Sequence, residues 1–274
     1  MTYSIRGAWP GVVVLTILCG QTAPVAAQTT DPMRPAPAAV TAAAPARTEA
    51  RMALQMESLS NNSADWQDAS FEITSDAGPR QRWFAAFHDV RRFSLHDDLF
   101  AGGYLHPIGK NALVTIEAQG SLSHQVVPQF SLAGRIDAAV GRGWVLNGGL
   151  SERRYDTGDV TMVTAGIEKY LGAFRFAYTS FGAFLGGQGS LSHSAGIDRT
   201  YGRGEDNIVG ITLAGGEELE HDGTGLRTSE VRGISARGRH WLGRRVGLLY
   251  TIGIHEQGTY YTRRGGTAGI AFRF

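Results

Sequence analysis

Residues 246–255 read VGLLYTIGIH and residues 267–274 read TAGIAFRF. In the first stretch Val246, Leu248, Tyr250, Ile252 and Ile254 share one parity, and Gly247, Leu249, Thr251, Gly253 and His255 the other. In the second, Ala268, Ile270, Phe272 and Phe274 stand opposite Thr267, Gly269, Ala271 and Arg273. Successive side chains of a β-strand point to opposite faces, so a period of two means one apolar and one polar or small face. Both stretches read as long two-faced strands.

The same alternation runs back through the chain. Val114, Ile116, Ala118 and Leu122 oppose Thr115, Glu117, Gln119 and Ser121. Phe130, Leu132, Ile136, Ala138 and Val140 oppose Ser131, Arg135 and Asp137, and Phe174, Phe176 and Tyr178 oppose Arg175 and Thr179. From residue 50 onward such segments recur at about fourteen places, near 51–60, 66–75, 81–92, 97–107, 111–122, 129–140, 144–155, 160–171, 173–184, 190–201, 206–217, 228–240, 245–256 and 264–274. A membrane-crossing strand needs about 9 to 11 residues, whereas strands of soluble sheets are typically about 5 or 6. The expected fold is therefore all-β, an antiparallel up-and-down transmembrane barrel of about fourteen strands, with twelve as the alternative count. Short connections are expected at Pro107–Lys110, Gly141–Gly143, Gly172, Gly202–Glu205 and Leu242–Arg245. Longer ones are expected at Asn61–Asp65, Ser123–Pro128, Tyr155–Asp159, Gly216–Arg227 and Gln257–Arg263.

Composition agrees. Charged residues make up 19% and hydrophobic residues 42%, too few apolar residues for a helical membrane protein but suited to a barrel that needs them at every second position. The net charge of +1 gives no case for nucleic acid, which leaves a basic excess on its binding domain. The first 27 residues read as a cleaved signal peptide: Arg6, then the apolar run GVVVLTILCG over 11–20, then a small-residue cleavage site ending at Ala27. Cys19 is the single cysteine and lies within it, so the mature chain is expected to have no disulfide and no thiol chemistry. Residues 28–49, rich in Pro, Ala and Thr, read as a disordered linker, and residues 50–274 as the barrel. These features together point to the outer membrane of a Gram-negative bacterium.

Several strings resemble the YaiO family of outer-membrane β-barrels over roughly residues 50–274. They are Ala64-Asp65-Trp66-Gln67-Asp68-Ala69-Ser70, Arg153-Arg154-Tyr155-Asp156 with Val160, and Gly166-Ile167-Glu168-Lys169-Tyr170. Near the end stand Thr228-Ser229-Glu230-Val231-Arg232-Gly233, Gly238-Arg239-His240-Trp241-Leu242-Gly243, and His255-Glu256-Gln257-Gly258 with Tyr261-Thr262-Arg263-Arg264-Gly265. The resemblance implies an outer-membrane location and, in some members, a link to surface polysaccharide. It carries no catalytic residues.

In a barrel of this phase the lumen is expected to be lined by Glu117, Arg135, Asp137, Arg175, Arg237 and Arg239, with Glu168 and Arg273 near strand ends. Such charges either set the selectivity of a pore or pair across the interior and fill it. Ile270, Phe272 and Phe274 form a terminal aromatic pattern of the kind that outer-membrane barrels present to their assembly machinery. Trp66, Trp83, Tyr104, Trp144, Tyr155, Tyr170, Tyr178, Tyr201, Trp241, Tyr260 and Tyr261 lie near strand ends, where aromatic girdles are expected. Chemistry has little support. His255 and Glu256 are adjacent and on a strand point apart, no zinc or nucleophile-elbow motif occurs, and the acidic stretch Glu217–Asp222 lacks calcium-loop spacing. No cofactor or metal is expected. The expected role is a passive pore or structural barrel tied to polysaccharide export or envelope assembly. The alternatives are a lipid acyl hydrolase at the rim, with Thr228 or Ser229 beside His255, and a non-conducting surface platform. Expected partners are outer-membrane lipid and lipopolysaccharide, the barrel-assembly machinery and polysaccharide biosynthesis or export proteins.

Overall fold

The computed structural model describes residues 15–16, 47–202, 206–221 and 226–274. Most of the expected signal peptide, its cleavage site at Ala27 and most of the 28–49 linker lie outside these residues. A two-residue strand, β1 (Leu15–Thr16), pairs with the end of a later strand, Leu15 with His221 and Thr16 with Glu220.

Fourteen long strands follow: β2 (Thr48–Leu59), β3 (Trp66–Gly78), β4 (Gln81–Arg92), β5 (Leu95–Ile108), β6 (Ala112–Ser121), β7 (Phe130–Gly141), β8 (Trp144–Tyr155), β9 (Gly158–Leu171), β10 (Phe174–Leu185), β11 (Gln188–Tyr201), β12 (Asn207–His221), β13 (Leu226–Trp241), β14 (Val246–Gln257) and β15 (Tyr261–Arg273). Each pairs antiparallel with the next, and β15 returns to β2, from Arg263 opposite Leu59 to Arg273 opposite Glu49. The sheet is thereby a closed barrel, which leaves no edge to be satisfied in lipid.

The alternation sorts the two faces. The outward parity carries Met52, Leu54, Met56, Phe100, Ile116, Leu132, Leu150, Phe176, Leu213 and Ile252, all exposed large hydrophobics. The inward parity carries buried Arg51, Glu72, His88, Asp97, Glu168 and Asp198. This inside-out distribution is that of a barrel whose solvent is lipid.

We call the end holding Thr48 and Arg273 the terminal end, and the opposite end the loop end. Connections at the loop end are tighter than the sequence suggests. Residues 93–94, 156–157 and 186–187 are two-residue turns. Phe93, Ser94, Gly186 and Gly187 all adopt positive φ, the geometry whose twist matches a two-residue hairpin. Tyr155–Asp159 is thus no long loop. Nor is Gly216–Arg227: β12 and β13 run on through it, pairing as far as His221 opposite Leu226. Only 60–65 and 122–129 form longer connections among the described residues at that end.

Candidate functional site

An ionic belt lines the inner wall in the terminal half. Arg175 on β10 donates through Nε and Nη2 to Glu168 on β9 (3.0 and 2.8 Å) and through Nη1 to Asp198 on β11 (2.7 Å). Tyr170 donates its hydroxyl to Glu168 at 2.8 Å. Arg237, two strands from Asp198, grips both of its oxygens at 2.8 and 2.9 Å. That reach depends on Gly210, the cross-strand partner of both residues. A Cβ at Gly210 would lie 2.0 Å from Asp198 Oδ1. Across the closing seam Arg273 donates to Glu49 (3.1 Å); it also donates to Asp206 (2.7 Å), and beside the seam Arg51 donates to Glu49 (2.6 Å) and Glu72 (3.2 Å). Arg135 pairs with Asp137 at 2.6 Å and stands 3.9 Å from Glu168. Such guanidinium–carboxylate pairs are directional, so they hold the wall charges in fixed positions.

All six residues expected to line the lumen, Glu117, Arg135, Asp137, Arg175, Arg237 and Arg239, lie on the inward parity. Glu117 accepts from Gln119, and Arg239 donates to the carbonyl of Asp206 at 3.1 Å. Within the belt Arg135 and Arg237 keep side-chain exposures of 45% and 34%. The lumen charges therefore both pair along the wall and present guanidinium surface to the lumen.

The loop half of the lumen is built differently. Val90 and Leu99 pack with Val127 of the 122–129 connection, which folds inward. It is held there by the buried Asp97, whose carboxylate accepts the backbone N–H groups of Gln125, Val126 and Val127 at 2.9, 2.6 and 3.0 Å. Leu59, Trp66 and Tyr261 form a second cluster, with Arg92 and Arg263 each 4.8 Å from the Trp66 ring centre. Val160, Met162, Ala183, Leu185 and Leu219 form a third.

These clusters correct the girdle expectation. Trp66, Tyr155, Tyr170, Trp241 and Tyr261 point inward, not to a membrane interface. Trp66 is 3% exposed, and Arg273 stacks 3.5 Å from the Trp241 ring centre. Parity carried the signal: Trp66 shares its face with Asp68 and Glu72, Tyr155 with Arg153, Tyr170 with Glu168, Trp241 with Arg237 and Arg239, and Tyr261 with Arg263. Trp83, Tyr104, Trp144 and Tyr178 do face outward at 39 to 46% exposure. Most outward aromatics with polar tips gather at the terminal end, where Tyr201, His240 and Tyr250 also stack. Ile270, Phe272 and Phe274 face outward there too, and the Phe274 N–H donates to the Thr48 carbonyl at 2.9 Å.

Among the described residues no reactive constellation gathers around His255. Its ring lies inside over Gly233, Glu256 lies outside, and Ser229 accepts from Gln257 at 3.2 Å. A serine–histidine pair that the sequence reading missed does exist: Ser180 Oγ lies 3.0 Å from His193 Nδ1 on the outward face. The Tyr178 hydroxyl shares that nitrogen at 2.9 Å, and among the described residues no carboxylate bonds the ring. Asp89, His96 and Asp98 bring three ligand atoms together outside the loop end, but Asp89 is already bonded to Arg91 (3.1 Å) and His96 (2.9 Å).

Solved structures share this architecture at low identity. A bacterial polysaccharide outer membrane secretin superposes with a TM-score of 0.53 at 9% identity, covering 84% of this chain and 98% of that one. The KdgM porin gives 0.48 at 9% identity (82% and 99% covered). An anion-selective porin from Comamonas acidovorans gives 0.47 at 9% identity (84% and 99% covered). No curated protein matches the chain. The closed fourteen-strand barrel with its apolar exterior is that of an outer-membrane protein. A family model described as the YaiO membrane beta barrel domain matches residues 47–220, and the chain belongs to that family.

Proposed function

We propose that the barrel is a passive conduit for polar solutes across the outer membrane, serving the export or assembly of cell-envelope polysaccharide. The observation that carries this reading is the terminal-half belt, in which Arg135 and Arg237, each paired with a carboxylate, still keep guanidinium surface open to the lumen. A wall of fixed, water-accessible guanidinium groups interleaved with carboxylates suits hydrated, hydroxylated or anionic solutes and excludes apolar ones. Hydrogen-bonding arginines would give such solutes transient contacts. The test is single-channel conductance of the refolded barrel in a planar bilayer, with maltodextrins or acidic oligosaccharides on one side. Steady conductance blocked by the sugars supports the reading. Silence from a correctly folded barrel overturns it. In a conducting barrel, Arg135→Ala with Arg237→Ala should shift the reversal potential toward cation preference.

In this reading the terminal end, where β2 begins and β15 finishes, faces the periplasm, and the loop end faces outward. Phe274, with Phe272 and Ile270, supplies the aromatic signature for the assembly machinery. Outward arginines at the loop end, among them Arg91, Arg154 and Arg232, sit where lipopolysaccharide headgroups begin and would meet their phosphates. The barrel needs no cofactor for this role. No observation favours the acyl hydrolase, since Ser229, His255 and Glu256 do not converge.

A further inference from the structure

On the outward face of β10 and β11 three polar side chains meet. His193 Nδ1 lies 3.0 Å from Ser180 Oγ and 2.9 Å from the Tyr178 hydroxyl, and the Tyr178 and His193 rings stack with centres 5.8 Å apart. Ser180 and His193 are cross-strand partners near the middle of their strands. Phe176 and Phe184 flank the group along β10, Leu191 and Ile197 along β11, and Val163 and Leu213 on the strands to either side. All six are exposed large hydrophobics. The group is therefore surrounded by the apolar belt and stands at the depth of hydrocarbon, not of headgroups.

Two hydroxyls satisfy Nδ1, whereas among the described residues nothing bonds Nε2. Whichever ring nitrogen carries the proton, Nε2 is left with an unused donor or an unused lone pair. Acyl chains offer it no partner and the bilayer core holds no water, so the open nitrogen destabilises an isolated barrel in lipid. The same dryness excludes hydrolysis by the serine and histidine at this depth. An ionisable side chain inside a membrane calls for a partner that is itself within the membrane.

The surrounding wall leaves room for one. In the register row of the pair the next strands carry Ala165, opposite Ser180, and Gly215, opposite His193. The same-face rows above and below hold Gly182 and Ala195. Small residues let two backbones approach and let polar groups between them bond. A second copy of this chain meets the depth requirement automatically, because it enters the same membrane the same way up. A twofold axis along the membrane normal, passing between β10 and β11, sets each His193 opposite the partner's Ser180. The hydrogen bonds then match in either tautomer. A Ser180 hydroxyl that donates to its own Nδ1 can accept an Nε2–H, and one that accepts from Nδ1 can donate to a bare Nε2. The patch is complementary to itself, as an isologous interface requires.

We infer that the barrel forms a twofold dimer within the membrane through the outer face of β9–β12, held at its centre by His193 and Ser180 of each copy. This pairing is independent of whether the lumen conducts.

The experiment uses the full chain with Cys19→Ser, expressed in the outer membrane of a Gram-negative host. Ala195→Cys, beside the axis, and Phe71→Cys, on the opposite wall, are each oxidised in the membrane with copper phenanthroline. Disulfide-linked dimer should form at least tenfold more from Ala195→Cys. In lipid vesicles, energy transfer between labelled copies should report dimer in wild type. His193→Leu, and separately Ala195→Phe, should weaken it at least tenfold. Both variants only change the lipid face, so the barrel should stay folded by its heat-dependent electrophoretic mobility, and His193→Leu should unfold no earlier than wild type. Equal crosslinking of the two cysteines overturns the assigned surface. Wild type that remains monomeric at every protein-to-lipid ratio overturns the dimer. His193→Leu that dimerises like wild type overturns the role of the histidine at its centre.

Discussion

At the terminal end of the lumen Arg175, Arg237 and Arg273 reach carboxylates one or two strands away, whereas at the loop end Leu185, Val160 and Leu219 pack into a buried cluster. Both ends obey the same inward parity except at Leu219, where β12 leaves the alternation and turns in. The terminal contacts are directional and join one wall strand to the next. The loop-end contacts are non-directional and tether segments that fold in from the rim: the 122–129 connection through Val127, and the end of β12 through Leu219. Fixed charge therefore sits where the wall is a single rigid layer, and apolar packing sits where covering elements rest on it. Ion pairs demand exact partners and tolerate water; apolar patches release and re-form without leaving a charge stranded.

The sharpest way to break this contrast is to remove one cation from the belt. Arg175→Met leaves Glu168 and Asp198 short of their shared partner inside the lumen. We expect a loss of about 3 kcal/mol or more in urea unfolding of the refolded barrel. A loss near zero would mean that lumen water replaces the guanidinium. Next comes Met162→Ala in the loop-end cluster, expected to cost about 2 to 3 kcal/mol with no dependence on salt. Gly210→Ala should act between strands. By displacing the Asp198 carboxylate it should uncouple Arg237, so that adding Arg237→Ala to it costs less than Arg237→Ala alone, as a double-mutant cycle would read. Asp97→Ala strips three N–H groups of their acceptor. It should cost about 1 to 3 kcal/mol and expose the 122–129 connection to protease. The smallest effect is expected outside the barrel: Arg232→Gln breaks the exposed pair with Glu230, and the unfolding midpoint should not move.

Much of this was legible in the sequence. The alternation of Val246–Ile254 and Ala268–Phe274 carries both the strand length and the face that meets lipid, and repeated along the chain it yields the observed fourteen strands. That Glu117, Arg135, Asp137, Arg175, Arg237 and Arg239 share the inward face was legible by parity alone. The partners of those charges were not, because Asp198 meets Arg237 only when Gly210 brings three strands into one register. The inward turn of β12 was also hidden. Glu217–Asp222 reads as a polar loop, and nothing local announces that Gly216 will part it from β11. Parity could have placed Trp66 and Trp241 in the lumen, had it been allowed to outweigh the habit of putting tryptophan at an interface.

The closing seam has a consequence for how the molecule comes to exist. Every other neighbouring pair of long strands is a hairpin or a short connection, zipped from residues close in the chain. The β2–β15 ladder joins Glu49 to Arg273 and the Thr48 carbonyl to the Phe274 N–H, across nearly the whole sequence. Until the last strand arrives, the first must wait with one flank unpaired, and a chain stopped short of β15 has two raw borders instead of none. Closure is therefore a single late, all-or-nothing event that depends on the final dozen residues, and the pairing of Arg273 with Glu49 is its latch.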